Sequence, residues 1–171
     1  RLYARSIANS ALGRTEEARD ELEAFEEAMA AVPKDWWIFN NRVDQVLPIA
    51  RAMINGELLF REGRREEAYA ILREGVTAED ALVYDEPPGW MLPVRHALGA
   101  LLMADERYAE AEAVYREDLR RNRDNGWSLT GLQLALQKQK RGTEAEELTT
   151  RLAMAFNDAD TRPSSSCYCE P

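Results

Sequence analysis

Cysteine is nearly absent: the 171 residues hold only Cys167 and Cys169, both close to the C-terminus. A disulfide framework across the chain is thereby excluded, and a closed four-ligand zinc site has too few sulfur donors. Neither is needed, because a chain of this length buries roughly 70% of its unfolded surface. Histidine occurs once, at His96, and lysine only at Lys34, Lys138 and Lys140. Glycine and proline number 9 and 7, and β-branched residues are scarce beside Ala, Leu, Glu and Arg. That mixture favours helix, because Ala and straight-chain residues lose least entropy on entering one. Long apolar runs are missing too: the longest, Ala97 to Ala104, falls far short of the ~20 residues that span a bilayer, so no membrane insertion is expected. Basic charge is in deficit, 22 residues against 31 acidic, for a net −9. A field of that sign repels nucleic acid and anionic membranes, and no basic stripe interleaved with aromatics offsets it. Phosphate-binding glycine loops, metalloprotease His pairs and nucleophile elbows do not occur, so no cofactor and no enzymatic site is expected.

What is present is helical periodicity. From Thr15 to Val32, apolar Ala18, Leu22, Phe25, Met29 and Val32 recur at spacings of three and four, one stripe of an amphipathic helix. Gly13 closes a preceding helix over Leu2 to Leu12, and Pro33 ends the stripe. Val43 to Phe60 repeats the pattern around Pro48, and Glu67 to Gly75 follows after Gly63. The centre of Thr77 to Trp90, Asp85-Glu86-Pro87-Pro88-Gly89, cannot be helical. Helices are predicted again over Leu92 to Ala104, Tyr108 to Leu119, Trp127 to Gln139 and Glu144 to Phe156, the last opened by a Thr143/Glu146 capping box. The fold class is all-α.

The helices come in pairs that resemble one another. Leu98-Gly99-Ala100-Leu101-Leu102 followed by Ala111 and Tyr115 resembles a tetratricopeptide repeat, as does Trp127 to Leu134 followed by Ala145. Asn55-Gly56-Glu57-Leu58-Leu59 with Ala68 and Leu72 is a weaker copy, and Gly13 with Ala18 fits half of a fourth. Gly99 to Gly131 is 32 residues and Ala111 to Ala145 is 34, against a family period of about 34. Departures are a missing closing proline, replaced by Arg123, and two long connectors, around Pro33 to Pro48 and Asp80 to Trp90. The stretch from Tyr84 to Leu119 is also similar to the C-terminal repeats of larger bacterial tetratricopeptide proteins of uncharacterised function. The resemblance implies antiparallel helix pairs stacked as a right-handed superhelix over residues 1–158, with a flexible tail over 159–171. The chain starts at Arg1, inside a helical pattern and without Met, and is expected to be the C-terminal part of a longer protein.

Four places could carry chemistry. Cys167-Tyr168-Cys169 offers two thiols to a soft metal ion or a redox role, against the blander reading of a mobile tail. His96 needs a partner to act as a base, and groove lining or packing is the preferred reading. Asp85-Glu86 beside Pro87-Pro88 is expected to be an ordered connector anchored by Trp90, since adjacent carboxylates point apart. Trp36-Trp37-Ile38-Phe39 is expected to pack in the core or between repeats, with a partner hot spot as the alternative.

By the resemblance, a concave groove would be lined by Met53, Glu57 and Phe60, then His96, Ala100 and Met103, then Ser128, Leu132 and Ala135. This set lacks the Lys, Arg and Asn with which chaperone-binding relatives clamp a terminal carboxylate. An apolar helix or extended peptide from another protein is the expected guest, held by a non-catalytic interaction scaffold. The alternatives are a metal- or redox-responsive protein using Cys167 and Cys169, and the accessory region of an enzyme whose active residues lie further N-terminal.

Overall fold

A computed structural model describes residues 1–167 of the chain. These form two compact units, Arg1–Val94 and the residues from Arg95 onward. The first holds α1 (Leu2–Ala11), α2 (Thr15–Ala31), a two-strand hairpin of β1 (Trp37–Ile38) and β2 (Asn41–Arg42), α3 (Val43–Arg61) and α4 (Arg65–Asp80). The second holds most of α5 (Val94–Ala104), then α6 (Tyr108–Arg121), α7 (Gly126–Lys138), α8 (Gly142–Glu147) and α9 (Thr149–Ala155). The all-α expectation is met, and the hairpin was not foreseen.

Four helix junctions share one construction. In each, two backbone N–H groups reach back to helix carbonyls: Gly13 to Ser10 and Arg14 to Asn9, Gly63 to Phe60 and Arg64 to Leu59, Glu106 to Met103 and Arg107 to Leu102, Lys140 to Gln137 and Arg141 to Leu136. This is the Schellman pattern, which satisfies carbonyls left over at a helix end. It requires a left-handed residue, and φ is 75° at Gly13, 81° at Gly63, 58° at Glu106 and 61° at Lys140. The first two turns use glycine, which has no Cβ to clash, while the last two force a charged side chain through the same region. The following Arg starts the next helix in all four, its carbonyl accepting from Ala18, Ala68, Ala111 and Ala145. Those four alanines are buried. In three of the turns that Arg also bonds the Glu three residues on, at 2.6 Å for Arg64–Glu67, Arg107–Glu110 and Arg141–Glu144. Exposed pairs of this kind add little stability, so the turn and the buried Ala set the geometry.

The expected Thr143/Glu146 capping box is corrected by this turn. It starts α8 at Gly142 with Arg141 as N-cap and no side-chain cap bond, which leaves Thr143 inside the helix. The single helix expected from Glu144 to Phe156 is interrupted at Leu148.

In the first unit α1 packs on α2, α3 on α4, and α3 also on α1 and α2. Phe25, Ala50 and Ile54 centre a cluster flanked by Leu2, Tyr3, Ile7, Leu22, Met29, Leu47 and Trp90, which uses the predicted α2 stripe. Gly56 lets α4 come close: a Cβ there would run into the Leu72 side chain. In the second unit α7 packs on α6, α8 and α9. Tyr115 of α6 is fully buried between Gly99 of α5 and Gly131 of α7, and a Cβ on either glycine would overlap its ring. Glu112 ties α6 to the end of α7 and the start of α8, accepting from Arg116 at 2.7 Å, Gln139 at 2.8 Å and Arg141 at 2.6 Å.

Candidate functional site

The residues expected to line an open groove are mostly interior. Met53, Glu57, Phe60, His96, Ala100, Ser128, Leu132 and Ala135 are buried, and Met103 is half-buried. Met53 shows why. The Trp90 indole N–H points at its sulfur from 3.0 Å and the Tyr3 hydroxyl lies 3.7 Å from it. The Tyr3 and Trp90 rings meet edge-on, with centroids 5.0 Å apart. The connector expected to be anchored by Trp90 thus lays that ring over the α3 face. Beneath it Glu57 bonds Arg61 at 2.8 Å. Burial raises the Glu57 pKa and Arg61 opposes the rise without cancelling it. The Tyr3 hydroxyl is pushed up to about 12, first by burial and then by the Glu57 charge.

In the second unit His96 has a partner that spacing did not reveal. Asp118, on α6, places Oδ2 3.4 Å from His96 Nε2 and accepts the Ser128 hydroxyl proton at 2.6 Å, while Oδ1 accepts from Asn122 at 3.1 Å. His96, Asp118 and Ser128 are all buried. Burial alone would raise the Asp118 pKa, but hydrogen bonds from His96 and Ser128 outweigh it and hold the carboxyl below its usual range. Serine, histidine and aspartate recur in hydrolase triads, yet here the order is wrong. A nucleophilic serine hands its proton to histidine, whereas Ser128 donates to a carboxylate that stays ionised and is a poor base. The cluster clamps α5, α6 and α7 together.

The two long connectors meet in the first unit. Asn41, fully buried, donates to the Val83 carbonyl at 2.9 Å and accepts from the Val83 N–H at 2.7 Å, pairing with that backbone as a strand would. Asn40 donates its backbone N–H to Asp85 Oδ2 at 3.0 Å and its side-chain amide to the Tyr84 carbonyl at 3.2 Å. Asp85 is therefore committed to the hairpin turn and Glu86 to the Tyr84 hydroxyl, which leaves no paired carboxylates facing a common site. Replacing Asn41 with alanine orphans both backbone groups of Val83, and a loss of about 1–3 kcal/mol is expected on urea denaturation.

This clamp holds aromatics outward. Trp36, Trp37 and Phe39 are 60%, 63% and 69% exposed, which corrects the expectation that they pack in the core. The reason lies in the turn: β1 is two residues long, its ladder pairs Trp37 with Arg42 and Ile38 with Asn41, and Asn41 takes the interior position. Phe39 at the tip has φ 52°, a left-handed conformation that a bulky residue rarely adopts. Val83 and Tyr84 on the clamped connector are exposed as well.

A cavity of about 290 Å³ in the second unit lies between α5, α6 and α7, lined by Met103, Tyr108, Tyr115, Leu134, Lys138 and the segment 164–166. The tail read as flexible is docked there: Ser166 is 1% exposed, bonded to the Tyr115 hydroxyl at 2.7 Å and donating to the His96 carbonyl at 2.9 Å. Cys167 is half-buried and disulfide-bonded, so it offers a soft metal ion no thiolate in this form. Cys169 lies outside the described residues. Among the described residues no group of three or more His, Cys, Asp or Glu side chains could hold a metal ion, and no helix is long and apolar enough to cross a membrane. Comparison with family models, with curated proteins and with solved structures finds no match to the chain.

Proposed function

We propose that this chain is a non-catalytic protein-interaction scaffold built from tetratricopeptide-type helix pairs, and that the Trp36–Phe39 hairpin holds its partner. The observation that carries the reading is Phe39. An aromatic residue occupies a left-handed turn position where glycine is the unstrained choice, and it gains no burial in return. Strain of this kind, kept without a packing gain, marks a site retained for what it touches. Beside it stand two exposed Trp side chains on a hairpin fixed at Asn40 and Asn41. Trp dominates the energetic centre of protein interfaces, and a pre-ordered hairpin loses little entropy on binding. The four matching turns, with their buried alanines, support the helix-pair part of the reading. A partner protein with an apolar cleft for the rings is the guest this surface fits.

The test uses the whole chain as bait in extract of the source cell, beside Trp37→Ser and Phe39→Gly baits. Phe39→Gly should stabilise the fold by about 1 kcal/mol through relief of the left-handed strain, yet weaken capture of the partner tenfold or more. A stabilised Phe39→Gly bait that captures the same proteins as strongly as the native chain would end the hairpin reading.

A further inference from the structure

The lining of the second unit's cavity changes character from floor to mouth. Buried Tyr115, Gly131 and Ser166 form the floor, where the two hydroxyls already bond one another at 2.7 Å. Half-buried Met103, Tyr108 and Leu134 form the middle. The bends at 164–166 complete the wall, with Ser166 also donating to the His96 carbonyl. Glu106 and Lys138, both exposed, stand at the mouth. Neither of these two side chains has a hydrogen bond or ion pair with any described residue. Their neighbours differ in this: Arg107 and Arg141 bond Glu110 and Glu144 at 2.6 Å. The mouth therefore presents one cation and one anion that the chain itself leaves unmatched.

Size and charge together limit the guest. A volume of about 290 Å³ lies at the bottom of the range for small-molecule pockets, roughly 300–1,000 Å³, so few atoms fit. A simple carboxylate drawn to Lys138 is repelled by Glu106, and a simple amine meets the reverse. A guest with both charges satisfies both groups, and the middle of the cavity asks for an apolar stem between them and the floor. We propose that this cavity binds a free α-amino acid with an apolar side chain. Its carboxylate faces Lys138, its ammonium faces Glu106, and its side chain enters beside Met103, Tyr108 and Leu134. The hairpin belongs to the other unit, and neither site requires the other.

The test titrates the full chain, labelled at methionine methyls, with L-leucine, L-methionine and L-phenylalanine, and follows Met103 by NMR. Met103→Leu assigns the signal. At least one of the three should move it saturably and leave Met29, Met53, Met91 and Met154, which do not line the cavity, in place. The analogues of the tightest binder that lack its ammonium or its carboxylate should each bind roughly tenfold more weakly or worse, because one mouth charge then goes unmatched. Glu106→Gly should weaken binding to a similar degree while its midpoint of urea denaturation holds or rises. Glu106 sits at φ 58°, the left-handed position that Gly13 and Gly63 fill in the first unit, so glycine removes the carboxylate and relieves the turn together. Loss of binding there is then not loss of fold. Lys138→Gln, at an exposed position, is the matching variant for the cation and should weaken binding likewise. Absence of a saturable Met103 shift with all three amino acids, or equal binding of either single-charge analogue, or full affinity in both variants, would overturn the proposal.

Discussion

Tyr115→Ala is expected to destabilise the second unit by about 4 kcal/mol, the upper part of the range for removing a buried aromatic. Three features put it there. The ring is fully buried and stands between two glycines, which have no side chains to move into the space. Helix backbones would have to approach instead, and packed helices resist that. Removing the hydroxyl also takes one hydrogen bond from Ser166 Oγ, which keeps its bond to the His96 carbonyl, a smaller loss that Tyr115→Phe measures separately at about 1 kcal/mol. Urea denaturation followed by circular dichroism, with amide exchange on α6 to assign the loss to the second unit, is the check. A cost below that of an ordinary surface substitution would show that the ring does not hold α5 and α7 apart.

Asp118→Ala should cost about 3 kcal/mol, because one carboxylate satisfies three donors. Its removal leaves the Ser128 hydroxyl and His96 ring buried without their acceptor, and the orphaned donors, more than the lost bonds, set the magnitude. Asp118→Asn keeps the shape and one acceptor oxygen, so it should lose less. A pH signature accompanies the loss. The Asp118 pKa is depressed in the folded chain. Its stabilising contribution is therefore present above the unfolded value, about 4, and disappears as pH falls through the folded value. In Asp118→Asn the decline of second-unit stability below about pH 4 should be shallower than in the native protein. Glu57 works in the opposite sense: its raised pKa gives a contribution complete at low pH that is lost as pH rises through the folded value. An acid limb unchanged by Asp118→Asn would mean that other carboxylates govern it.

Periodicity made the helices legible. The stripe of Leu22, Phe25 and Met29 does face the first unit's core, and Gly99 and Gly131 do mark close approach. A stronger signal lies in the turns between the helices. Gly13-Arg14-Thr15-Glu16-Glu17-Ala18, Gly63-Arg64-Arg65-Glu66-Glu67-Ala68, Glu106-Arg107-Tyr108-Ala109-Glu110-Ala111 and Lys140-Arg141-Gly142-Thr143-Glu144-Ala145 share Arg, Glu and Ala at fixed spacing. Each is a turn followed by its buried alanine, and aligning them would have placed the start of α8 correctly.

Local pattern and composition therefore determined which segments are helical, where the small residues fall, and that a chain of net charge −9 with two cysteines has no disulfide framework. Those properties depend on neighbours within a turn or two, or on sums over the chain. Tertiary structure alone decided what covers each face. Trp90 lies over Met53 from 37 residues away, Asp118 reaches His96 across 22, and Ser166 reaches Tyr115 across 51. Periodicity reports that a face is apolar but not which distant segment seals it. For that reason the groove residues proved buried, and the aromatics expected inside proved to be the exposed surface.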